Sequence, residues 1–129
     1  VTPAERTARM ETALRLGGDL HAVPDVVAAV KDGRAQFWGR DDGMVVTELQ
    51  VFPSRRVLNY WLVAGRLRDC LALEPEIEAW ALDHGASVAT ANGLPKWGHV
   101  GGRIGWREWH LRNYWKPLTE EGQAYGQGP

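Results

Sequence analysis

Three things are scarce in this 129-residue chain. Cys70 is its only cysteine, which excludes an internal disulfide and a cysteine-built zinc site. A single thiol suits a reducing compartment, or one where disulfides are not used. Cys70 falls between Leu67 and Leu73 on an apolar helical face and reads as a buried structural thiol. Long apolar runs are also missing. Nothing approaches the roughly 20 consecutive apolar residues of a membrane-spanning helix, and the opening VTPAERTARM is too polar and charged to read as a signal peptide. Charge of one sign is the third. Fifteen Lys+Arg against sixteen Asp+Glu leave a net charge of −1. No global basic field attracts nucleic acid, and no polybasic run attracts a membrane.

What is present is an ordinary globular composition, 44% hydrophobic and 24% charged, at a length that suits one core. The exception is tryptophan. Seven are spread along the chain, and Trp106, Trp109 and Trp115 fall close together near the C-terminus. Such side chains bring much buried area to a small domain and are also enriched in protein interfaces.

Thr2-Pro3-Ala4-Glu5 is a capping box with proline at the first helical position. It predicts a helix over 3–15 with Met10, Ala13, Leu14 and Leu16 inward, ended by Gly17-Gly18. Pro24 opens a second helix, PDVVAAVKD, with Val26, Val27 and Val30 inward and Gly33 as its stop. Residues 35–38, 44–52 and 57–63 read as three strands of an antiparallel meander, turned at Arg40-Asp41-Asp42-Gly43 and at Pro53-Ser54-Arg55. The third is almost continuously apolar and belongs in the sheet centre with both faces covered. A helix follows Gly65 and runs to Asp83, broken at Pro75 with Glu74 at the joint. Residues 86–90 then return as a strand parallel to 57–63. Residues 91–105 are too glycine-rich for a helix. Residues 106–118 alternate, with Trp109, Leu111, Asn113 and Trp115 on one side, and predict a long strand with one buried face. Residues 119–129 read as a polar flexible tail or docking arm. The whole is α+β: a mixed sheet, antiparallel meander plus one parallel strand, flanked by helices over residues 1–118.

This order, with the stretches VVTELQVFPSRRVLNYWLVAG, EPEIEAWALDHGAS and GRIGWREWHLRNYW, resembles the GNAT (acyl-CoA N-acyltransferase) fold, and in particular its short phage and prophage representatives. The resemblance implies a cofactor loop at Val63, Ala64, Gly65, Arg66 and Arg68. It also implies a catalytic pair on the central strands, Glu48 as the base and Asn59 to bond a substrate or the splayed backbone. Two departures stand out. The family loop is Arg/Gln-x-x-Gly-x-Gly/Ala, whereas this corner has one glycine; the residues read either as a tight strand-to-helix turn with two solvated arginines or as a reduced phosphate site. The family's acid, a tyrosine four residues before its Gly-Phe, corresponds here to Gly101. Glu48 is otherwise an exposed residue on a polar strand face, and Asn59 a satisfied buried amide.

Two functions follow. The leading one is a binding or structural component of a phage particle, built on a GNAT-like scaffold without bound CoA. Trp106, Trp109, Arg112 and Trp115 would form its interface to other phage proteins or to further copies of itself. The alternative is an acetyl-CoA-dependent N-acetyltransferase acting on an amine. The interleaving of Arg103, Arg107 and Arg112 with the tryptophans also permits a nucleic-acid stacking surface, which the net charge disfavours. No metal site is suggested. The expected location is the cytoplasm of a host cell or the phage particle.

Overall fold

The computed structural model describes residues 1–93 and 97–125, apart from the side chains at 98 and 99. Helix α1, Pro3–Leu16, starts where Thr2 Oγ1 accepts the Glu5 amide at 3.1 Å, and stops at Gly18 with φ +95°. Helix α2, Val23–Lys31, is capped by its own Asp25, whose carboxylate accepts the Ala22 amide at 2.8 Å. Its inward face is Val26 and Ala29, whereas Val27 is exposed. The valine-based stripe therefore slips, because the helix seats its small residue against the sheet. Leu16, also expected inside, is exposed at the end of the last turn.

Strands β1 (Gln36–Arg40), β2 (Gly43–Val51) and β3 (Arg56–Gly65) form the antiparallel meander. The two-residue turn between β1 and β2 places Asp41 at φ +47°. Helices α3 (Leu67–Ala72) and α4 (Glu74–Asp83) meet at Leu73, just ahead of Pro75, as a residue with no amide hydrogen requires. Strand β4, Ala86–Ala91, returns parallel to β3, and the sheet order is β1-β2-β3-β4. No helix among the described residues is long and apolar enough to cross a membrane.

One irregularity organises the interior. In the pairing of β2 with β3, Val46 faces Leu62 and Thr47 faces Tyr60. Trp61 is therefore the extra residue of a β-bulge. Before it, Leu58 and Tyr60 join Val45, Cys70, Leu73, Ile77, Ala81 and Ala86 in a core under α3 and α4. After it, Leu62 and Ala64 join Met10, Leu14, Val26, Ala29, Met44 and Val46 in a second core under α1 and α2. Cys70 lies in the first, its Sγ 3.2 Å from the Ala64 carbonyl oxygen, and burial raises its thiol pKa above the ordinary range.

Two expectations are corrected beyond β4. Part of the glycine-rich stretch does form a short helix, α5 (Trp97–Gly101), followed by a 3-10 turn over Gly102–Ile104. It closes where the Trp106 amide donates to the Gly101 carbonyl at 2.9 Å and Gly105 takes φ +97°. Residues 106–118 form no strand, and Trp109, Leu111 and Trp115 are exposed rather than buried on one face. Alternation alone makes no strand, and no described strand lies beside this one. Of the expected tail, residues 126–129 lie outside the described part. Over 119–125 the chain makes a 3-10 turn, Glu121–Ala124. Tyr125 then packs so close to Gly18 that a Cβ there would sit 2.5 Å from its ring.

Candidate functional site

Glu48 and Asn59 are directly opposite each other on β2 and β3, and Thr90 lies opposite Asn59 on β4. Register places all three on the α2 side of the sheet. Asn59 Nδ2 donates to Glu48 Oε1 at 3.2 Å, and Thr90 Oγ1 donates to Asn59 Oδ1 at 3.0 Å. The chain fixes the amide's orientation and holds one carboxylate oxygen. The other makes no hydrogen bond to the described residues.

The carboxylate opens into a recess of about 370 Å³ lined by His21, Asp25, Ala28, Ala29, Arg34 and Trp61 besides Glu48 itself. Trp61 shares this face with Asn59 two residues before it, and His21 meets its ring edge-on at 5.0 Å between centroids. The recess combines two carboxylates, an aromatic wall and two basic side chains. It suits a small ligand that carries a cationic or protonatable nitrogen. Of its lining, only Glu48 was signalled by the sequence. Asp25 is visible there only as part of a helix start, and Trp61 only as one residue of an apolar run.

The Gly65 corner is built differently. Gly65 has φ +91°, and a Cβ on it would lie 2.2 Å from the Asp42 carbonyl oxygen. That carbonyl accepts the Arg66 amide, and the Asp69 carboxylate accepts the Asp42 amide at 3.2 Å. Arg9 clamps Asp42 with two bonds, Nε to Oδ1 at 2.7 Å and Nη2 to Oδ2 at 3.0 Å, and this holds the Asp42 carboxyl below its usual pKa. The glycine and one amide of the corner thus serve the β1–β2 turn. Arg66 and Arg68 are exposed, and no side chain caps α3. The adjoining Val63 and Ala64 face the two cores, Val63 half-buried and Ala64 buried.

These residues bear on whether CoA could be held. Strand β4 pairs with β3 only as far as Tyr60, so residues 61–65 have no ladder on that side among the described residues. An extended chain of amides, such as a pantetheine arm, fits an open strand edge because it can exchange hydrogen bonds as another strand would. At the diphosphate end the two guanidiniums fit a doubly charged group. The committed Arg66 amide makes a weaker cradle than a full nest of free amides.

A polar cluster under α4 was not foreseen. Trp106 Nε1 donates to Glu74 Oε1 at 2.7 Å, and its ring meets Tyr60 edge-on at 5.3 Å. Burial, followed by the nearby Glu78, raises the pKa of Glu74. The Tyr60 pKa is also raised, by burial and then by both carboxylates, and its buried hydroxyl has no hydrogen-bond partner among the described residues. An unpaired buried hydroxyl costs about 1–3 kcal/mol. Tyr60→Phe is therefore expected to raise stability by about 1 kcal/mol, read as an upward shift of the urea midpoint. A fall would show that the hydroxyl is satisfied in solution. Of the expected interface residues, Trp106 is thus turned inward, whereas Trp109, Arg112 and Trp115 are exposed.

No family model and no curated protein matches the sequence. Solved structures do. A Trypanosoma brucei acetyltransferase superposes with a TM-score of 0.58 at 16% identity, covering 87% of this chain and 94% of that one. A probable acetyltransferase superposes at 0.60 and 12% identity, covering 93% and 96%. An aminoglycoside acetyltransferase from an uncultured soil metagenomic sample does so at 0.57 and 14%, covering 92% and 95%. The fold is GNAT-like. At these identities the likeness concerns the fold alone. Within this GNAT-like frame, the parting of β3 from β4 and the Glu48 recess lie on either side of the Trp61 bulge.

Proposed function

We propose that this chain is an N-acyltransferase that moves an acetyl group from acetyl-CoA to an amine held in the Glu48 recess. The observation that carries the reading is the Glu48–Asn59–Thr90 chain, which aims a fixed carboxylate into a recess at the point where β3 loses its partner. The acetyltransferase folds of the structural neighbours agree with it. Bound acetyl-CoA supplies an already activated thioester, so the protein's task is positioning and removal of one proton. Asp25 and Glu48 draw in a protonated amine, and Trp61 gives it an aromatic wall. Glu48 receives the proton that the bound ammonium must lose to become nucleophilic, while Asn59 keeps the carboxylate aimed; the second nitrogen proton, lost as the C–N bond forms and the thioester C–S bond breaks, would leave on the CoA thiol. Arg66 and Arg68, both exposed, would hold the cofactor's phosphates.

Calorimetric titration with acetyl-CoA tests the cofactor half. Binding weaker than micromolar is expected, because the Arg66 amide is committed to Asp42. Arg66→Ala should weaken it by about tenfold, the worth of one charge-assisted contact. Absence of binding at millimolar cofactor would sink the reading. A second reading would then take over: a binding component of a phage particle on a GNAT-like scaffold. It is favoured by the hold of Asp42 on the Gly65 corner and by the exposed tryptophans beyond Trp106.

A further inference from the structure

Residues 106–118 form no helix or strand and line neither the Glu48 recess nor the Gly65 corner. The segment is nevertheless held at both ends. Trp106 is tied to Glu74 and Tyr60, and Trp115 meets Tyr125 edge-on, whose ring packs on Gly18. Along it, Trp109, Tyr114 and Trp115 are 66, 91 and 48% exposed. Several large rings left in water on one short segment mark a surface that something covers.

Charge says what that is. The net charge of −1 averages two unlike parts. Arg107, Arg112 and Lys116 against Glu108 give this segment +2, which leaves −3 on the rest of the chain. All three cations are exposed, and none makes an ion pair among the described residues. Each stands beside an aromatic in sequence: Arg107 two residues before Trp109, Arg112 two before Tyr114, and Lys116 next to Trp115.

We propose that residues 106–118 bind single-stranded nucleic acid, with Trp109, Tyr114 and Trp115 stacking on bases and Arg107, Arg112 and Lys116 meeting phosphates. Rings and cations alternate along the segment, as bases and phosphates do along a strand. A lipid surface asks instead for rings gathered on one side. A duplex fits poorly, because only unpaired bases offer a face to an aromatic ring. The acidic remainder of the chain repels a polyanion and confines it to this segment. The fixed ends reduce the cost of ordering it. The inference stands independently of the acyl-transfer reading, since no residue of the Glu48 recess takes part.

Fluorescence anisotropy of labelled oligo-dT and oligo-U, each of about 12 nucleotides, titrated with the intact protein, tests it. Comparison of the two separates DNA from RNA as the preferred strand. Binding is expected at about 50 mM salt, and three phosphate contacts should weaken it about 20-fold by about 200 mM. Arg112→Gln should reduce that salt loss to about sevenfold. Trp109→Ala should weaken binding about tenfold, with the salt response and circular dichroism unchanged. No binding at the lower salt would overturn the proposal. So would an affinity indifferent to Trp109→Ala or to Arg112→Gln. Vesicles of equal parts phosphatidylserine and phosphatidylcholine that strip the protein from the oligonucleotide would also overturn it, and would make the segment a lipid anchor.

Discussion

If the chain acetylates an amine as proposed, Glu48→Gln is expected to lower that rate about 100-fold, the low end of what one general base contributes. The substitution keeps the size and the hydrogen bond from Asn59, so circular dichroism and the unfolding midpoint stay unchanged. What is lost is the ability to take the amine proton. The loss should fall on kcat and shrink as pH rises, because a larger share of the amine then arrives already deprotonated. Asn59→Ala gives a smaller loss, since it frees the carboxylate to rotate without removing it. A Glu48→Gln protein with undiminished turnover at neutral pH would show that the carboxylate only helps to attract the substrate, or that the recess is not the acceptor site.

Gly65→Ala costs about 4 kcal/mol of folding stability, which places it in the severe tail of single substitutions. Two effects add. A residue with a Cβ at φ +91° is strained by about 1–3 kcal/mol, and here the new carbon would sit 2.2 Å from a backbone oxygen. That oxygen cannot simply withdraw, because it accepts the Arg66 amide and belongs to a turn clamped by Arg9 and Asp69. Gly33 supplies the control. It has φ +77°, yet a Cβ there would meet nothing within 4 Å. Gly33→Ala should therefore cost only about 1 kcal/mol. Urea unfolding of both variants, compared at equal m-value, isolates the clash from the strain. Equal losses would mean that the corner relaxes away from Asp42.

Much of this architecture is legible in the residues. The Thr2 cap, the meander, the joint at Glu74 and Pro75 and the parallel return of β4 each rest on local chemistry, and the structure shows each of them. What escapes is whatever depends on a partner across space. The bulge at Trp61 lies in an apolar run where either face would accept any residue. The choice of Ala29 over Val27 is made by the sheet surface beneath α2. The alternation of 106–118 states a preference for pairing but cannot name a neighbour. At the site, Glu48 and Asn59 stood out as polar residues in the middle of strands. Their bond and their recess needed the register between β2 and β3, and Thr90 needed the crossover to be closed.

The bulge also divides β3 into two halves that count differently. Up to Tyr60, even-numbered side chains point toward α4; from Leu62 onward, even-numbered side chains point toward α1. Trp61 is the odd unit between them, and it reverses parity. Deleting Trp61 would leave every later side chain on its present face and in its present pairing, because Leu62 would then follow Tyr60 in ordinary alternation. A designer who repacks this strand must treat it as two short strands joined at a tryptophan, each with its own inside.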